Sequence, residues 1–146
     1  MIPRAFRRAV EQVMARAFSS WQQWTPVVEQ DGDVSQSLLD ARYCLVGKLC
    51  VAYGRINVTG NGAADNAIII KGLPFPMYQA GWLYPLGVFR FYDASESHAR
   101  IGMAGRHSGT DVLGCMMDSA GWLGAAPSVA LANGDNVSFE VTYQIA

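Results

Sequence analysis

Residues 136–145, NVSFEVTYQI, alternate without interruption: Val137, Phe139, Val141, Tyr143 and Ile145 are apolar, and Ser138, Glu140, Thr142 and Gln144 between them are polar. Successive side chains of an extended chain point to opposite sides, so this run predicts an antiparallel strand with one face in a core and the other toward water. Asn133-Gly134-Asp135 supplies the turn ahead of it. Less regular runs of the same β-forming residues predict strands over roughly 38–46, 48–59, 66–71, 82–92, 98–105 and 110–117, with a weaker one near 128–131. Gly60-Asn61-Gly62, Gly72-Leu73-Pro74, Ser95-Glu96-Ser97, Ser108-Gly109 and Ala120-Gly121 separate them. Seven or eight short strands with no helical period between them predict an all-β domain over residues 25–146, an antiparallel β-sandwich of jelly-roll-like kind. A chain of 146 residues is long enough to bury one such core.

Before Thr25 the period changes. In PRAFRRAVEQVMARAFSSW, Phe6, Val10, Val13 and Ala17 recur at steps of four, three and four, and Arg4, Arg7, Arg8, Glu11, Gln12 and Arg16 fill most of the other positions. That pattern predicts an amphipathic helix, opened by Pro3 and ended near Ser19-Ser20. Residues 1–24 therefore form a helical arm of local charge +3, ahead of a body of charge −4. A helix this short is marginal in water unless its apolar stripe is covered. The cover is the chain's own body, sister arms about a symmetry axis, or a larger assembly, with an anionic membrane surface last. The assembly-contact candidates are Arg4, Phe6, Arg7, Arg8, Val10, Val13 and Arg16: the arginines for carboxylates of a partner, the apolar three for packing.

A formal net charge of −1 is not suited to a polyphosphate backbone, so nucleic acid is not an expected partner. The arm's apolar residues are broken up by Arg and Gln, unlike a secretory leader, and no stretch is apolar over the roughly 20 residues a bilayer span needs. No membrane partner is expected. Three cysteines fit a reducing compartment better than a disulfide framework. Cys44 and Cys50 flank Gly47-Lys48, and a two-residue type II′ turn there sets Val46 against Leu49, Leu45 against Cys50 and Cys44 against Val51. Cross-strand partners share a face and chain neighbours do not, so Cys44 and Cys50 point to opposite sides and neither bridge nor hold one ion. With Cys115 they read as packing thiols.

His98 and His107 lack the close spacing of metal ligands. His107, Ser108 and Asp111 lie near one another, but Gly-x-Ser-x-Gly is absent and Ser108-Gly109 reads as a loop. GNGAAD, residues 60–65, lacks the third glycine, the lysine and the helix of a phosphate loop, and reads as a hairpin turn. Asp31, Asp33, Asp93, Glu96, Asp111 and Asp118 mostly fall at turns, where Asp bonds the local backbone. Tyr78, Trp82, Tyr84, Tyr92 and Trp122 suit a sugar-binding face, but Trp82, Tyr84, Leu86 and Val88 share one side of a strand, and a core or subunit interface explains them equally well. No catalytic residue, cofactor or metal is expected, and the chain does not read as an enzyme.

Taken together, ARYCLVGKLCVAYGRINVTG, with its Tyr-x-x-x-Gly-Lys hairpin and Thr-Gly turn, IKGLPFP with its Gly-Leu-Pro, and LANGDNVSFEVTYQIA with its closing Gly-Asp turn and late Tyr, resemble a β-sandwich domain of tailed-bacteriophage virion proteins. The resemblance covers about residues 25–146 and leaves the arm outside. It implies a structural virion protein: a trimeric capsid decoration (cement) protein on the outside of the shell, assembled in the host cytoplasm, with itself and the major capsid protein as partners. The alternative it implies is a head or tail fibre tip, or a receptor-binding module with a host-surface ligand. A short basic helix leading straight into the sandwich, with no long projecting segment, favours decoration.

Overall fold

The computed structural model describes residues 4–17, 20–78, 85–107, 112–117 and 121–146. A helix, α1 (Arg4–Ala17), precedes an antiparallel β-sandwich with strands β1 (Gln22–Gln23), β2 (Val27–Glu29), β3 (Gln36–Val46), β4 (Leu49–Val58), β5 (Ile69–Lys71), β6 (Pro85–Asp93), β7 (His98–Arg106), β8 (Val112–Met117), β9 (Gly121–Trp122) and β10 (Asn136–Gln144). One hydrogen-bonded path runs β1-β3-β4-β10-β6-β7-β8-β5-β2, with β9 on β8. The last strand in sequence thus sits in the middle of the larger layer.

That strand obeys its alternation. Val137, Phe139, Val141 and Tyr143 are buried, while Glu140, Thr142 and Gln144 are exposed. Cys50, Ala52, Ile56 and Val58 of β4 and Phe89 and Phe91 of β6 join the same core, which Val28, Ile68, Ile70, Leu123 and Leu131 close from the β2–β5 side. Gly105 of β7 pairs with Gly114 of β8, both buried. A Cβ on Gly114 would collide with the Trp122 ring, so the bare backbone lets the indole lie close against β8. At the opposite seam a side chain takes the place of a ladder. Gln36 of β3 accepts from the Val28 N–H at 2.7 Å and donates to the Pro26 carbonyl at 2.7 Å, tying β2 to the far end of the path.

The hairpin at Gly47-Lys48 has the expected register, with Cys44 opposite Val51, Leu45 opposite Cys50 and Val46 opposite Leu49. Gly47 has φ +60° and Lys48 is not among the positive-φ residues, as a type II′ turn requires. Cys50 is buried and Cys44 is half-buried, both as free thiols, and burial pushes the Cys50 thiol upward. The side chain of Cys115 lies outside the described residues.

Four expectations change. Gln22 and Gln23 pair with Tyr43 and Arg42, so the ladder begins before Thr25. Leu86 and Val88 were expected on one side of their strand, yet Leu86 is buried and Val88 exposed, because the register slips between Pro85 and Gly87 and a bulge rotates one of them inward. Trp82 and Tyr84 lie outside the described residues. The segment at residues 60–65 is no hairpin turn: it leads from β4, paired with β3 and β10, to β5, paired with β2 and β8. Residues 128–131 are not a strand, since the side chain of Gln30 takes the Val129 carbonyl and the Leu131 N–H that a neighbouring strand would have used.

Asp93 ends β6 and shows what the turn carboxylates do. Its Oδ1 accepts from the Ser95 hydroxyl at 2.7 Å, the Ser95 N–H at 2.9 Å and the Glu96 N–H at 3.1 Å. The hydroxyl first, then the two N–H groups, favour the ionised form and hold its pKa below the ordinary carboxylate value of 3.8. A depressed pKa means that the stabilisation is complete above the unfolded value and is lost as pH falls through the folded one. Asp93→Asn is therefore expected to lower the unfolding free energy by about 1 kcal/mol at pH 7. The gap to wild type should close as pH falls below the ordinary carboxylate value of 3.8 and through the lowered folded one; urea titrations across the acid range will show whether it does.

Candidate functional site

In α1, Phe6 and Val10 are four residues apart and lie on one side of the helix. They remain 59% and 44% exposed. Arg4, Arg7, Arg8, Glu11 and Gln12 are exposed around them. The sandwich therefore leaves the described part of the stripe, Phe6 and Val10, exposed. Val13 and Arg16 belong to α1, but their side chains lie outside the described residues.

A second uncovered surface lies on the outer side of β4, β10, β6 and β7. Val88, Ile101 and Met103 are 58%, 69% and 47% exposed there. A groove of about 410 Å³ runs between them and β4, lined by Tyr53, Arg55, Ser138, Arg90 and Glu140 among others. Tyr53 anchors its β4 wall. The hydroxyl donates to Asp40 Oδ2 at 2.9 Å, and Trp21 packs edge-on against the ring with centroids 5.6 Å apart. That hydrogen bond, followed by Arg42 at 3.2 Å, holds the Asp40 carboxyl below its usual range and raises the Tyr53 phenol. On the β6 wall the Arg90 guanidinium lies 5.6 Å from the centre of the Tyr92 ring.

The candidates for chemistry are scattered. His98 opens β7 and His107 follows its last residue, so a strand of about 3.3 Å rise per residue separates them by roughly 30 Å. Ser108 and Asp111 lie outside the described residues. Among the described residues, no three His, Cys, Asp or Glu side chains are grouped to hold a metal ion, and no helix is long and apolar enough to cross a membrane. The arrangement offers contact surface: an amphipathic basic helix and a flat sheet face of mixed charge with an apolar strip.

The sheet face was not found from sequence, although Ile101 and Met103 stand two apart and announce a shared side. Alternation tells which residues are together, not which side is outside. No family model, curated protein or solved structure matches the chain.

Proposed function

We propose that the chain is a structural virion protein of a tailed bacteriophage, a capsid decoration protein that binds the outside of the shell and stabilises it. The observation that carries this reading is α1, a helix that leaves Phe6 and Val10 uncovered beside Arg4, Arg7 and Arg8. Such a helix suits an acidic, partly apolar acceptor. Burying Phe6 and Val10 contributes about 1.5–3 kcal/mol each, and bidentate arginine contacts add direction. One such contact is weak, but copies joined to one another on a repeating lattice bind with the effective concentration of the array. The resemblance of residues 25–146 to virion sandwich domains points the same way, and taken with it the self-association is threefold.

Removal of residues 1–20 tests the reading, because it keeps Trp21 on Tyr53 and the β1 pairs. The shortened body is expected to unfold at nearly the same urea concentration as the full chain and to lose at least roughly tenfold in occupancy on particles, about the loss of one 1.4 kcal/mol contact. Full-length chain with Phe6→Glu and Val10→Glu should lose occupancy likewise. Undiminished binding by both would contradict the assignment of the arm.

A further inference from the structure

The ladder registers fix which outward side chains lie side by side. Across β3, β4, β10, β6 and β7, the residues Arg42, Tyr53, Glu140, Val88 and Met103 form one row, and Asp40, Arg55, Ser138, Arg90 and Ile101 form the next. The second row has a notch. Ser138 is small, and Arg55 and Arg90 flank it on the neighbouring strands, about 10 Å apart across two strand spacings. Glu140 stands one step along the same strand, in the first row. Among the described residues neither Glu140 nor Arg55 nor Arg90 is in an ion pair.

A face with this pattern is complementary to itself when turned over. Rotation by 180° about an axis lying in the interface, across the strands and between the two rows, sets each row on the other row of a second copy. Glu140 then falls on the mate's Ser138 notch, between its Arg55 and Arg90. Met103 meets Ile101, Val88 lies along the stem of Arg90, Tyr53 faces Arg55, and Arg42 faces Asp40. Stacked sheets cross at about 30°, so the fit is closest at the centre, on β10, where the carboxylate and the notch are.

We propose that this outer face is a two-fold interface between two copies of the chain, keyed by Glu140 of each in the notch of the other. The chain's own arm is a poorer occupant, since Arg4, Arg7 and Arg8 bring positive charge to Arg55 and Arg90. Val88, Ile101 and Met103 gain the apolar cover that a single chain does not give them. The contact does not depend on what α1 docks to, and on a shell it would link neighbouring copies.

The test uses the full chain in three forms: wild type, Glu140→Arg, and Arg55→Glu with Arg90→Glu. Light scattering at up to about 100 μM, the weak end for a specific complex, should give each variant half the mass of wild type, because each sets like charges against each other at both keys. An equimolar mixture of the two variants should restore the wild-type mass, since both keys are then opposite in sign. Ser138→Trp, which fills the notch without a change of charge, should also halve the mass and serves if a charge variant fails to fold. Equal mass for wild type and variants, or a mixture that does not recover, overturns the proposal. Self-association that disappears with the arm but is indifferent to these four residues would place the contact in α1 instead.

Discussion

Gln30→Ala is expected to destabilise the protein by about 3–5 kcal/mol, lowering the thermal midpoint by about 10–20 °C for a domain of this size. Gln30 is 2% exposed and uses its whole amide. The Nε2 group donates to the Asn66 carbonyl at 3.0 Å and to the Val129 carbonyl at 2.6 Å, and Oε1 accepts from the Leu131 N–H at 2.8 Å. One side chain thus joins the loop after β2, the connection from β4 to β5, and the segment before β10. Two glycines make room for it: a Cβ on Gly62 would collide with Oε1, and one on Gly124 would stand 2.8 Å from Nε2. Alanine leaves one buried and two part-buried backbone groups without their partner, each costing about 1–3 kcal/mol where water does not reach. Gln30→Glu should be at least as damaging near neutral pH, because a carboxylate faces two carbonyls where a donor is required. A loss below about 1 kcal/mol for both variants, measured by urea unfolding, would mean that these loops hold without the amide.

Phe139→Ala is expected to cost about 3–5 kcal/mol, the range for deleting a core aromatic ring. The reason is specific to the sheet. Phe139 faces Gly54 across the β10–β4 ladder, and the outer end of its ring lies so close to the glycine that a Cβ there would come within 2.6 Å of Cζ. Trp24 then packs edge-on against the ring, with centroids 6.0 Å apart. Gly54→Val forces ring and valine into one volume and should cost about 2–3 kcal/mol. The double variant should cost less than the two single losses together, by about 1–2 kcal/mol, since the valine then occupies space the ring has vacated. Strictly additive losses would show that ring and glycine do not share a site.

Much of this fold was legible because its strongest signals are local. The alternation at 137–145, the Gly47-Lys48 turn with its consequence for Cys44 and Cys50, and the helical period from Phe6 to Ala17 all depend on neighbours in sequence. What was hidden depends on distant partners. β1 and β2 have two and three residues, too few to show a period. The bulge at Leu86 breaks the parity that placed it with Val88. Residues 128–131 have a strand-like composition, but a glutamine about 100 positions away along the chain, at |i−j| of 99 and 101, supplies their bonds. The arm's candidates were visible as a stripe, whereas the Arg55, Ser138, Arg90 and Glu140 constellation exists only once three strands are in register.

Gln30, the Phe139–Gly54 contact and the Gln36 seam tie the body together, while Phe6, Val10 and the outer sheet face stay exposed. A preordered surface loses less entropy on docking, which suits the proposed decoration role. On that proposal the chain works by covering a repeating surface. Counting copies of this protein in purified virions, by quantitative mass spectrometry against the major capsid protein, tests that claim most directly. Hundreds of copies per particle are predicted; three to a few dozen would place it at a fibre or vertex and contradict the decoration reading.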